Sequence, residues 1–157
     1  MGVANENNYA NTLARFRRGY AALFALVDDF PEELRDAAGA LGEWTPREIL
    51  AHLIGWVNEA QKRLGEIEAG DRQNQHNELG DNFATFNAKS VEARAEQKWD
   101  ETVAELHSTV DQFSLQAAEV APDRAAGDPR YEEWLMGLWN DCIEHMGHLI
   151  KFVESAK

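Results

Sequence analysis

Apolar residues recur at three- and four-residue steps along most of this chain, and the pattern breaks in only a few places. Tyr9, Leu13, Phe16, Tyr20, Leu23, Phe24 and Val27 form one such run, the signature of a helix with one buried face that ends at Pro31. Residues from Pro31 to Ala38 add a short helical turn before Gly39 and Gly42 interrupt it. Thr45, Pro46 and Glu48 then combine an N-cap, a preset first-turn dihedral and a capping-box carboxylate. A second helix follows, with Ile49, Leu50, Leu53, Trp56, Val57, Ala60 and Leu64 as its stripe, out to about Ala69 and the stop at Gly70.

From Asp71 to Asp81 the chain is polar, rich in Asn and Gln, and without apolar period, so it reads as a loop crossing the outside of the protein. Phe83, Phe86, Val91 and Ala93 suggest a further helix. Asp100 reads as the cap of another, carrying Val103, Leu106, Val110, Phe113 and Leu115. The stretch from Pro122 to Pro129 reads as a connection. A last helix, from about Arg130 to Glu154, presents Leu135, Leu138, Trp139, Cys142, Met146, Leu149 and Val153. No segment alternates with the two-residue period of a strand. Four long amphipathic helices joined by unequal connections predict an all-α four-helix bundle with a long crossover between helices two and three.

The 157 residues fit one domain spanning 1–157. With 44% hydrophobic and 27% charged residues, the chain has ample apolar material for a core. Asp and Glu outnumber Lys and Arg by 28 to 15, a formal net charge of -13. That sign opposes phosphate backbones and anionic lipid, so neither nucleic acid nor a membrane is the expected partner. Arg15, Arg17 and Arg18 are read as a solvated helix face. Cys142 is the only cysteine, which rules out an intramolecular disulfide and suits a reducing compartment. The polar stretch from Met1 to Thr12 lacks a signal-like apolar core, and no apolar run is long enough for a membrane span. The expected location is the cytoplasm.

Candidate chemistry lies where polar residues interrupt apolar faces. His52 sits on the flank of the second helix's stripe, one turn before Trp56. Asp141 and His145, four apart, share one edge of the last helix beside Trp134 and Leu138. One carboxylate and two imidazoles form a metal-ligand set that leaves positions open for water or substrate. Trp56, Trp134 and Leu138 are then the expected substrate-facing residues. Glu144 and His148, also four apart, form a second-choice pair, ranked lower because the helical wheel turns Glu144 away from the core. The bland alternative is a set of boundary histidines and a surface pair. By the same reasoning Trp44, Trp56, Trp99, Trp134 and Trp139 are core or rim packing. His76 and His107 have no spaced partner.

The segment from Trp44 to Trp56 resembles the start of the second helix in DinB/YfiT-like proteins, and Glu144 to Ile150 resembles the end of their last helix. Phe86, Asn87 and Val91 resemble that family's middle segment. The resemblance implies a four-helix bundle, often a homodimer, that binds a divalent metal such as zinc or nickel. It further implies a low-molecular-weight thiol co-substrate of the bacillithiol, mycothiol or glutathione type. Carried over, His52 and His145 are ligands, and Asp141 stands where the family usually has a histidine. A mycothiol-dependent branch places Glu and His four apart, which would select Glu144 and His148.

The expectation is a metal-dependent small-molecule enzyme, a transferase or hydrolase and foremost a thiol transferase acting in stress response or detoxification. Two alternatives stand beside it: a metal-free detoxifying or sequestering protein, since the segment from Ala51 to Trp56 also resembles the ClbS/DfsB-like branch, and a non-catalytic bundle.

Overall fold

The computed structural model describes residues 2–70 and 83–157. The expected crossover, read from Asp71 to Asp81, lies outside the described residues. Among them the regular elements are all helical: α1 (Gly2–Asp28), α2 (Pro46–Glu68), α3 (Phe83–Glu92), α4 (Trp99–Ala118), α5 (Pro122–Gly127) and α6 (Arg130–Ser155), with a 3-10 turn at Glu32–Leu34. One isolated bridge, Leu41 with Trp44, closes the turn before α2. Gly42 there has φ +58°, a conformation that a residue with a Cβ adopts only under strain. No helix among the described residues is long and apolar enough to cross a membrane.

The four long helices α1, α2, α4 and α6 contact one another in a ring, with α1 against α4 and α6, and α2 against the same two. Each apolar stripe therefore finds a partner. Phe16 and Leu23 from α1, Ile49, Leu53 and Val57 from α2, Leu106 and Phe113 from α4, and Leu135, Cys142 and Leu149 from α6 are all buried in one core. A fully buried Leu, Ile or Phe contributes about 1.5–3 kcal/mol. Polar ties fix the register where helices meet: the Tyr9 hydroxyl donates to the Ala117 carbonyl at 2.6 Å, joining α1 to α4.

At the start of α2 the Glu48 N–H donates to Thr45 Oγ1 at 3.1 Å, while the Thr45 N–H donates to Glu48 Oε1 at 3.0 Å. The capping box thus sets the first turn and the height at which His52 leaves the helix.

Two boundaries differ from the sequence reading. The fourth helix starts at Trp99 with Lys98 as its N-cap, ahead of the expected cap Asp100. Glu101 accepts from the Lys98 N–H at 3.0 Å, and the buried Trp99 ring stacks on Phe30 with centroids 5.3 Å apart. Burying that indole draws the helix start forward. The stretch from Pro122 to Pro129, expected as a connection, contains α5, in which Pro122 occupies the first turn and Ala125 is buried. Helix α5 packs on α1, so a short apolar contact overrides the glycine and proline content.

Helix α3 lies across α2. This close seat requires Gly55: a Cβ there would come within 2.6 Å of Ser90 Cβ and closer still to Ser90 Oγ. Arg94 holds the far end, donating to Glu105 Oε1 at 3.0 Å and Oε2 at 2.9 Å on α4.

A candidate metal centre between α2 and α6

Helices α2 and α6 bring three polar side chains to one point inside the apolar ring. His52 comes from the second turn of α2, and Asp141 and His145 from the middle of α6, where a four-residue step points both the same way. Both histidines are only 5% exposed. Their Nε2 atoms stand 3.1 Å apart. His145 Nε2 is 3.0 Å from Asp141 Oδ1, and His52 Nε2 is 3.4 Å from Asp141 Oδ2. The three groups each offer a ligand atom, all within 4.8 Å of one another, so they could hold a metal ion.

The donor spacing fits a cation. Ligands about 2.0–2.1 Å from a tetrahedral ion lie roughly 3.3 Å from each other, close to the separations here. Two neutral imidazole nitrogens facing each other at 3.1 Å also repel unless a proton or a cation lies between their lone pairs. Burial by itself pushes the Asp141 carboxyl up, yet hydrogen bonds and charge from His145 and His52 outweigh it and hold the group at about 2. Asp141 is therefore an anion at neutral pH. The adjacent Cys142 is a different case: burial, with the Asp141 charge behind it, pushes its thiol up to about 12, so it stays protonated and serves as core.

The outward nitrogens of both imidazoles have partners. His52 Nδ1 is 3.0 Å from Asn87 Oδ1, and the Trp56 indole N–H donates to that same oxygen at 2.6 Å. His145 Nδ1 is 3.1 Å from His148 Nδ1. On the cavity side, a pocket of about 310 Å³ opens directly onto His52 and Asp141. Trp56, Trp134 and Leu138 line it, as do Phe83 and Asn87 from α3.

Glu144 also lines this pocket, on the same stripe of α6 as Asp141 and exposed at its surface. His148 faces the Nδ1 side of His145, away from the three converging atoms. His107 stacks on Phe24 with ring centroids 3.5 Å apart, and His76 lies outside the described residues. Asn87 and Phe83 were not assigned a role from sequence. The sequence signals there are a polar residue beside Phe86 on a short amphipathic helix and the resemblance of Phe86, Asn87 and Val91 to a family segment, and nothing in spacing links that helix to His52.

A family model described as the DinB superfamily matches residues 15–149. No curated protein and no solved structure matches the chain significantly.

Proposed function

This chain belongs to the DinB superfamily, and from that premise we propose that His52, Asp141 and His145 bind one divalent metal ion that serves a reaction on a small molecule held in the adjoining pocket. The carrying observation is the convergence of two buried imidazoles and one half-buried carboxylate at 3.0–3.4 Å beside an aromatic cavity. Three protein ligands leave coordination positions for a water or substrate atom, the arrangement of a catalytic site. Bound there, a divalent metal lowers the pKa of a coordinated thiol or water and makes a nucleophile available at neutral pH.

The chain's own residues supply the rest. Asp141 contributes a negative charge to offset the cation, His52 and His145 contribute neutral nitrogen donors, and Trp56, Trp134 and Leu138 exclude water from the apolar part of a substrate. Zinc suits two imidazoles and a carboxylate; nickel shares the preference for imidazole. We assign the reaction to transfer of a low-molecular-weight thiol, supported by the resemblance of residues 44–56 and 144–150 to proteins that use such thiols.

A second reading, metal-free capture of hydrophobic electrophiles, is supported by the apolar and aromatic lining of the pocket, to which Trp56, Phe83, Trp134 and Leu138 contribute. Metal analysis of protein purified without a histidine tag separates the two. Stoichiometric metal that is lost in His145→Ala supports the first, and protein free of metal whose activity survives a chelator overturns it.

A further inference from the structure

We propose that Asn87 is a positioning residue: its side-chain oxygen fixes which nitrogen of His52 carries the proton and joins that choice to the Trp56 wall of the pocket. Its functional meaning rests on the metal reading above, while its geometry does not. The indole N–H of Trp56 can only donate. It meets the Asn87 side chain at 2.6 Å, so the atom facing it is the amide oxygen and the amide cannot be turned the other way round. The same oxygen is 3.0 Å from His52 Nδ1. His52 Nδ1 therefore donates as well, the two lone pairs of one oxygen are both used, and His52 Nε2 keeps its lone pair for the centre.

The other imidazole lacks this commitment. His145 Nδ1 faces His148 Nδ1 at 3.1 Å, and either nitrogen of that pair can donate or accept. Of the two outer imidazole nitrogens, the one on His52 is thus the one whose proton is fixed by a one-way acceptor, Asn87. Its oxygen is held in place by the seat of α3: Ser90 presses against Gly55, and Phe83 and Phe86 pack on the Trp56 ring with centroids 5.4 and 4.6 Å away. The indole that lines the pocket and the imidazole that faces Asp141 share one acceptor.

Without that acceptor, His52 is free to place its proton on Nε2, which points at Asp141 3.4 Å away. That neutral form presents N–H where a ligand lone pair is needed. Asn87→Leu removes the acceptor at similar size, whereas Asn87→Asp keeps it. The experiment follows the His52 ring nitrogens by long-range nitrogen–proton NMR correlation in metal-free full-length protein at about pH 8, above the ordinary imidazole range. Zinc affinity is measured in parallel by competition with a chromophoric chelator.

Wild type and Asn87→Asp are expected to hold the proton on Nδ1. Asn87→Leu is expected to shift it to Nε2 and to weaken zinc binding roughly 10- to 100-fold. Asn87→Ala serves in its place should the leucine variant not fold. Retention of the Nδ1 proton without the acceptor, or an aspartate variant as defective as the leucine one, overturns the proposal. A wild type that binds no zinc yet loses the Nδ1 proton on replacement of Asn87 overturns the metal reading and leaves the positioning role standing.

Discussion

His52 and His145 are 93 positions apart in the chain, and their Nε2 atoms lie 3.1 Å apart in the interior. Each is nearly inaccessible to solvent, and Asp141 supplies the charge that faces both. Burying two imidazoles and half-burying a carboxylate within an apolar ring costs stability unless they satisfy one another or share a cation.

Replacing a ligand removes a donor atom, a greater loss than disturbing its support. His145→Ala should therefore lower zinc affinity by more than about a hundredfold, with helix content unchanged. Calorimetric titration of the metal-free protein measures this; an unchanged dissociation constant would remove His145 from the centre.

A metal that binds only the folded chain stabilises it by mass action. At free zinc about 100 times the dissociation constant the gain is about 2.7 kcal/mol, or about 5–11 °C in the unfolding midpoint for a chain of this size. Thermal unfolding with zinc and with excess chelator tests this, and coincident curves would count against an internal site.

Acid should release the tether between α3 and α4. Burial pushes the Glu105 carboxyl up, but hydrogen bonds from Arg94 and Gln97 and the Arg94 charge bring it below the usual glutamate range. A folded pKa below the unfolded one contributes stability above the unfolded value and loses it as pH falls through the folded value. Glu105→Gln should thus melt below wild type at neutral pH, by no more than a few degrees because a pair that still reaches solvent is worth up to about 1 kcal/mol. The difference should vanish in acid; a gap that is constant from pH 7 to pH 3 contradicts the assignment.

Gly55→Ala should displace α3 from α2. A methyl there meets Ser90 where no space is left, and overpacking of that kind costs about 1–3 kcal/mol. Denaturant unfolding reads the loss, and Ser90→Gly in the same chain should restore part of it. Full stability in the single variant would show that α3 is loosely held.

Much of the helical content was legible because its causes are local. The apolar period of α1, α2, α4 and α6 and the Thr45–Pro46–Glu48 start signal lie within single segments, and the structure has helices there. Where a distant contact decided a boundary, local reading failed: Trp99 is drawn into its helix by Phe30, and α5 forms because α1 is there to bury Ala125.

Spacing alone determined that Asp141 and His145 share one edge of a helix, since a four-residue step fixes relative direction whatever surrounds it. Only the packing of α2 against α6 decided that His52 reaches the same point, because the height and rotation of two helices depend on every side chain between them. Asn87 lay further beyond sequence reading. Its place beside His52 is set by the absence of a side chain at Gly55 and by the fit of Phe83 and Phe86 around Trp56, contacts that no periodicity along the chain encodes.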